Sequence, residues 1–450
     1  MSELSRREIR NETLRIALPA VMEGMLIVFI SMVDTYMVSS IGRAEVSAIG
    51  ITNQPRLILF TLFFSVNIAI GLLVARRKGE NKQKEANMLF LTGLAYTIGA
   101  CIIVSILCVI FARQIVVFGG ANEDSTEAAT TYFRIVMGGS IFTLVSLFIN
   151  AAQRGCGNTR ISMTTNLTSN IVNVILNYLL IGGHLGFPRL GVRGAAIATV
   201  AGTFVACIMS TLSVMRKDGF ISLRFIFKQK ISGIPEHIRT LARISIVILG
   251  ELLLTRVGFI INSIMAARLG TDPNAANHVG MAFMNIGFGF GDGLQIACIA
   301  LVGRSIGQKD DALAKRYVKS ALKIGFLTST AMSLLILIFG RSIFNLYFPD
   351  TEHMLLMGDM ISMYIAVIMP IQVAKIIYGG SLRGGGDVKF ILVGATISVT
   401  LVQPGITYLL AFVYDFGLQA VWFSILVSQT VQLLLYAVRF YRGNWINRKV

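Results

Sequence analysis

Long uninterrupted apolar runs are the feature that most constrains how this chain can fold. Residues 88–111, for example, contain no charged side chain. A hydrocarbon layer about 30 Å thick needs roughly 20 apolar residues in each helix that crosses it. Runs of this length recur at about 14–40, 52–75, 88–111, 128–152, 161–183, 191–215, 241–267, 277–303, 317–340, 357–381, 388–412 and 417–439. Only 14% of the residues are charged, whereas a soluble protein carries about a quarter. We therefore predict an all-α polytopic membrane protein with twelve transmembrane helices.

The distribution of basic residues predicts the orientation of the chain in the membrane. With both termini on one side, thirty of the 40 Lys and Arg residues fall on the face of the termini and five on the other. Cytoplasmic loops carry such an excess, so both termini are predicted to be cytoplasmic, in a plasma (bacterial inner) membrane. The same distribution accounts for the net charge of +17 without a nucleic-acid partner.

An internal repeat divides the sequence. VDTYMVSSIG (33–42) aligns with INSIMAARLG (261–270), and the same offset of 228 places Glu23 on Glu251. Two further pairs follow in the same order: QRGCGNT (153–159) with LRGGGDV (382–388) at an offset of 229, and LGVRGA (190–195) with FGLQAV (416–421) at 226. Weak internal symmetry of this kind is typical of the two halves of a transporter.

The repeat and the longest polar interruption together predict the domain organisation. We expect an N-lobe at 1–214 with helices one to six, a cytoplasmic linker at 215–240, and a C-lobe at 241–450 with helices seven to twelve. Because each half has six helices, the repeats should be related by an axis along the membrane normal.

The paired motifs resemble those of the MATE (multidrug and toxic compound extrusion) family, over roughly residues 10 to 440. The resemblance implies two six-helix bundles that form a V, with alternating access driven by Na+ or H+. It also implies a bending point in the first helix at Pro19. In addition it implies an N-lobe cation site made by Asp34, Asn173, Asn177 and Thr199. Some members have an acid at the position of Asn177, and the amide here is typical of the Na+-linked branch.

The spacing of polar residues supports a site in the N-lobe independently of the family. Glu23 and Asp34 are eleven residues apart, close to three helical turns, so they should share one face of the first helix. Four asparagines with spacings of 4, 3 and 4 also share a face of the fifth helix: Asn166, Asn170, Asn173 and Asn177. Amide and carboxylate oxygens suit a hard cation. The alternatives are interhelical hydrogen bonding by the amides and a solvated, inert Asp34.

Charged residues within predicted spans of the C-lobe form a second group. Charges inside a membrane usually face a protein interior or a water-filled cavity. We therefore predict a substrate cavity or charge network that comprises Glu23 of the N-lobe with Glu251, Arg256, Asp292, Gln372 and Lys375. One specific hypothesis pairs Glu251 with Lys375, because an unpaired buried charge is costly.

The resemblance, together with the charged residues inside the spans, implies a secondary antiporter that exports organic, cationic and amphipathic compounds from the cytoplasm in exchange for Na+ or H+. The alternative is a flippase for a lipid-linked oligosaccharide or another lipid-like substrate, for which Arg256 and Lys375 could bind a pyrophosphate. The sequence lacks HExxH and GxSxG motifs, so an enzyme is not predicted. We expect a monomer in the lipid bilayer, small-molecule substrates, and no cofactor besides the coupling ion.

Overall fold

A computed structural model of the protein describes residues 5–39, 42–216, 219–229, 235–349, 351–443 and 445–446. Within these ranges the chain is almost entirely helical and contains no β-strand. The helices of the first half are α1 Arg6–Ser39, α2 Arg43–Gly79, α3 Gln83–Ile110, α4 Ala112–Phe118, α5 Glu123–Gly138, α6 Ser140–Gly155, α7 Thr159–Gly182, α8 Gly191–Val214 and α9 Leu223–Lys228.

The helices of the second half include an irregular span. They are α10 Pro235–Arg268, α11 Thr271–Gly307, α12 Asp311–Tyr347, α13 Glu352–Gly384, α14 Val388–Ala395, α15 Gln403–Tyr408 and α16 Gly417–Tyr441. Two π-helical segments, Thr396–Val402 and Leu409–Val413, flank α15 and join it to α14 as one span. A π-helical segment adds a residue to the helical repeat and is frequent at functional sites.

Each of the twelve predicted spans coincides with one of these helices or with a joined set, so the twelve-helix, all-α prediction is confirmed. Among the described residues, nine helices are long and apolar enough to cross a membrane, and the pair α5–α6, bent by 47°, makes a tenth. The two remaining spans are α1, whose side chains are described only in part, and α7. Four asparagines make α7 less apolar than its neighbours.

The chain forms two compact units, Met22–Ser245 and Met1–Val21 with Ile246–Val450. The start of α1 groups with the second half because Glu12 accepts a hydrogen bond from Arg304 Nη1 at 2.9 Å and another from the Tyr317 hydroxyl. The segment after α8 groups with the first half because Asn87 of α3 bonds the backbone of residues 220 and 222. The division into lobes at 1–214, 215–240 and 241–450 stays a prediction.

Helices α2 and α6 cross at two glycines. A Cβ atom on Gly155 would lie 2.4 Å from the backbone oxygen of Gly71. We expect Gly155→Ala to force the helices apart and to lower the free energy of unfolding by about 1–3 kcal/mol, the usual cost of overpacking. The measurement is thermal unfolding of the purified protein in detergent. Gly99→Ala in α3, where a Cβ would meet nothing within 4 Å, is the matched control and should be neutral. Equal melting temperatures would contradict the prediction.

Candidate functional site

Three helices of the first unit bring the four predicted cation-site residues together. Asn177 of α7 donates a hydrogen bond from Nδ2 to Asp34 Oδ1 of α1 at 2.9 Å. Asn177 Nδ2 also lies 3.3 Å from Asn173 Oδ1, one turn earlier on α7. Asn173 in turn contacts the Thr199 hydroxyl of α8, with 3.4 Å between Nδ2 and Oγ1. The spacing of the asparagines along α7 therefore presents both amides to one carboxylate.

The amide of Asn173 fits better when its nitrogen faces the carboxylate. In that orientation Nδ2 donates to Asp34 Oδ1 at 2.9 Å and to Oδ2 at 3.1 Å, while the amide oxygen accepts from the backbone N–H of Thr199 at 3.1 Å. Amide orientation is assigned from the hydrogen-bond network. Both amides then donate to Asp34, and this arrangement stabilises the charged carboxylate inside the helical bundle.

Burial and composition define what this site can hold. Asn173 and Asn177 are buried and Asp34 is half-buried. Asn177 Oδ1 is buried and has no hydrogen-bond partner among the described residues. One carboxylate, two amide oxygens and one hydroxyl make an uncrowded set of hard oxygen donors, which fits Na+ and does not resemble the nitrogen and sulfur sets of transition metals. A proton on Asp34 would satisfy the same carboxylate.

Glu23 occupies a different pocket on the same pair of helices. Its Oε1 accepts from Asn166 Nδ2 at 2.5 Å and from the Ser162 hydroxyl at 3.0 Å. Arg154 Nη1 lies 3.6 Å from the same oxygen and donates to Ser162 Oγ at 2.7 Å. Asn166 of α7 therefore makes an interhelical hydrogen bond to Glu23 of α1, which was the simpler expectation for it. Two acid–amide pairs therefore join α1 to α7: Glu23 with Asn166, and Asp34 with Asn177 three turns later.

The second unit contains the charge cluster of the C-lobe. Glu251 of α10 forms a buried ion pair with Arg383 of α13, and Arg383 also donates to Gln295 Oε1 at 2.8 Å. Asp292 of α11 and Lys375 of α13 interact electrostatically with this pair. The hypothesis that Glu251 forms its ion pair with Lys375 is wrong, because Arg383 occupies that place.

The other predicted C-lobe residues differ in burial and in their contacts. Lys375 is 8% exposed, and its ammonium lies 5.5 Å from the ring centroid of Phe288. Gln372 is fully buried, with Nε2 3.5 Å from the backbone oxygen of Met284 and Oε1 without a partner among the described residues. Arg256 is exposed on α10, and within the described part of the chain no hydrogen bond or ion pair joins it to the cluster. Glu23 belongs to the other unit.

Comparison with known proteins identifies the family. The family model MatE matches the chain twice, over residues 19–179 and 248–409. The chain belongs to the MATE family. The separation of the two matches, which begin at residues 19 and 248, is compatible with the internal repeat. The all-helical, membrane-spanning architecture follows from this membership.

Individual MATE relatives match the chain over nearly its whole length. A probable multidrug resistance protein NorM of Thermotoga maritima is 23% identical over 98% of this chain and 94% of its own length. An uncharacterised transporter YisQ of Bacillus subtilis is 26% identical over 96% of this chain and 94% of its own. A solved MOP-superfamily transporter from Pyrococcus furiosus superposes with a TM-score of 0.87 at 18% identity, covering 98% of this chain and 97% of that one. Two of these relatives are named as transporters and the third as a probable multidrug resistance protein, and they do not favour the flippase alternative.

Two residues of this MATE protein were missed by sequence reasoning. Arg154 and Arg383 were counted among the cytoplasmic loop cations, but each lies in a helix and contacts the repeated glutamate of its own unit, Glu23 or Glu251. The signal was present in the sequence: the two arginines occupy the same place in QRGCGNT and LRGGGDV, 229 residues apart, as the glutamates are 228 apart. The repeat therefore conserves an acid–base pair, not only single residues.

Proposed function

We propose that this protein is a secondary antiporter that exports organic, cationic and amphipathic compounds from the cytoplasm in exchange for Na+ or H+. The observation that carries the proposal is the half-buried carboxylate of Asp34 within a membrane span, surrounded by Asn173, Asn177 and Thr199. A carboxylate at such depth is costly unless it is paired. Reversible neutralisation by a transported cation is the chemistry that this arrangement supports.

Rotation of two side-chain amides would couple ion binding to the conformation of the protein. In the structure, Asn173 and Asn177 turn their nitrogens toward Asp34. A Na+ ion at Asp34 would require both amides to present their oxygens instead, which changes the contacts between α1, α7 and α8. A ligand shifts a conformational equilibrium only through such a difference in contacts between states. Protonation of Asp34 would remove one acceptor and have a weaker effect on the amides.

We propose that the charge cluster of the C-lobe binds the substrate. The Asp292 side chain is exposed and has no ion-pair partner within 4 Å among the described residues. It could therefore accept a cationic group, while the partly exposed aromatic ring of Phe288, one turn earlier on α11, supplies apolar surface. Lys375 and Arg383 interact electrostatically with Asp292 and balance its charge.

A bend in α1 is proposed as part of the transport cycle. Pro19 is buried within α1 and cannot donate a backbone hydrogen bond to the preceding turn. It lies two residues before Val21, where the chain passes from one compact unit to the other. A weakened helix at that point supports a hinge. The excess of basic residues on one face supports cytoplasmic termini, and we propose a monomer in the plasma membrane.

Efflux of ethidium from proteoliposomes tests the proposed function. Na+ and pH gradients are imposed separately, with protein-free liposomes and gradient-dissipating ionophores as controls. We expect ethidium movement against its concentration gradient under a Na+ gradient, because the donor set of Asp34 and its neighbours suits Na+. Movement under the pH gradient alone would identify H+ as the coupling ion. The absence of movement under both gradients would contradict the proposal for this substrate class.

A further inference from the structure

The second unit contains a buried row of uncharged polar side chains where α10, α15 and α16 meet. Each of these side chains is less than a tenth exposed. Five of them, which we call the neutral cluster, are Asn262, Gln403, Thr407, Ser424 and Ser428. Polar groups in a membrane-embedded bundle are expensive unless they are satisfied. Members of the cluster that lack a hydrogen-bond partner therefore require an explanation beyond packing.

Hydrogen bonds join the three helices at one point. The Thr407 hydroxyl donates to Asn262 Oδ1 at 2.7 Å and lies 2.6 Å from the Ser424 hydroxyl. One turn before Asn262, α10 passes close to the π-helical segment, since a Cβ on Gly258 would lie 2.3 Å from the backbone oxygen of Val399. The close approach of the backbones holds Asn262 against α15.

The remaining two members lie one turn from this point. Gln403 precedes Thr407 by four residues and Ser428 follows Ser424 by four, on helices that run in opposite directions. The antiparallel register is fixed further along, where the Tyr436 hydroxyl donates to a backbone oxygen of α14 at 2.9 Å. Gln403 and Ser428 are therefore at the same level of the bundle.

These two residues are unsatisfied. Both side-chain atoms of Gln403 and the hydroxyl of Ser428 are buried without a hydrogen-bond partner among the described residues. Both side chains are 0% exposed. An unpaired buried polar group is costly, so a guest that pairs with the Gln403 carbonyl oxygen and the Ser428 hydroxyl is expected. Because the residues are sealed from solvent, the guest must be as small as a bare ion or a water molecule.

The neutral cluster is the repeat counterpart of the site around Asp34. The offset of 228 places Asp34 on Asn262, and an offset of 230 places Asn173 on Gln403 and Asn177 on Thr407. The π-helical segment before Gln403 adds residues to the helix and accounts for the increase in offset. The contacts correspond as well: Asn177 bonds Asp34 in one unit, and Thr407 bonds Asn262 in the other.

We propose that the neutral cluster is a second site for a monovalent cation, which takes Na+ through uncharged oxygens. Two amide oxygens and three hydroxyls can replace the hydration shell of such an ion, as carbonyl rings do in channels. The counterpart of Asp34 is an amide, so the ion's charge is not balanced and binding should be weaker than at Asp34. The inference concerns ion binding and does not depend on the proposed transport direction or substrate.

Equilibrium binding of radioactive Na+ to the purified protein tests this proposal. We expect two ions per chain in the parent protein, one in Asp34→Asn, and one in Gln403→Leu. Gln308→Leu makes the same substitution at an exposed position at the end of α11, and it should retain two ions. Asn262→Asp should tighten the weaker site by at least about tenfold, because it adds a carboxylate to the ligands.

Three outcomes would overturn the proposal. One is a stoichiometry of one ion that Asp34→Asn removes completely. Another is two ions that persist in Gln403→Leu. The third is an Asn262→Asp variant that folds, as judged by its melting temperature, with unchanged affinity, since water alone would then occupy the neutral cluster. Failure of the proposed function would look different from failure of this proposal. In that case Na+ binding or efflux would not respond to Asp34→Asn, whatever the result for Gln403→Leu.

Discussion

Asp34→Asn is expected to reduce gradient-driven ethidium efflux by more than about tenfold, because it removes the one charged ligand of the candidate cation site. The substitution keeps size and polarity, so Asn177 can still pack against residue 34 and the fold should persist. The measurement is the initial rate of efflux from proteoliposomes under the driving gradient. Equilibrium exchange of ethidium without a gradient should be affected less, since it does not require the ion to drive the cycle.

The matched control for this experiment is Asp272→Asn. Asp272 is exposed near the start of α11, where it contacts His353 with 2.8 Å between Oδ2 and Nε2. The chemical change is the same, but it lies outside the candidate site, so the efflux rate should stay close to that of the parent. If the Asp34→Asn protein transports as well as this control, the prediction is wrong and the coupling site should be sought in the Glu251 cluster.

Much of the architecture could be predicted from the sequence because membrane thickness imposes a simple length rule. Most of the apolar runs are long and apolar enough to identify a span by themselves, and the 4-3-4 spacing of the asparagines on α7 identifies the face that meets Asp34. These predictions depend on one helix at a time. The repeat extended them, because it linked positions such as Glu23 and Glu251 across the two halves.

The features that could not be predicted depend on which helices meet. Arg383 lies beside a glycine-rich turn, and its sequence context is that of a loop cation, yet the packing of α13 against α10 buries it on Glu251. Gln403 and Ser428 hardly lower the apolar character of their helices, so nothing in the sequence isolates them. The π-helical segments also depend on packing between helices. They rotate the faces of α15 relative to those of a regular helix.

Arg383→Met is expected to lower the free energy of unfolding by about 3–5 kcal/mol, because it leaves Glu251 as an unpaired buried charge. Glu251→Gln should lower the free energy of unfolding by a similar amount, because it leaves Arg383 as an unpaired buried charge. The double variant should recover most of the lost stability. Both side chains are less than a tenth exposed, so water cannot replace the lost partner. The measurement is a double-mutant cycle of thermal or denaturant unfolding in detergent micelles.

Two comparisons make this second prediction specific to the buried pair. Arg341→Met breaks two surface ion pairs, with Glu352 and Asp359, in which the arginine is 50% exposed, and should cost only about 1 kcal/mol. A second cycle between Glu251 and Lys375 should give a smaller coupling energy, because Lys375 interacts with Glu251 through space and forms no ion pair with it within 4 Å among the described residues. Equal coupling in the two cycles would mean that the cluster shares its charge among all four residues, and that Arg383 is not the dominant partner of Glu251.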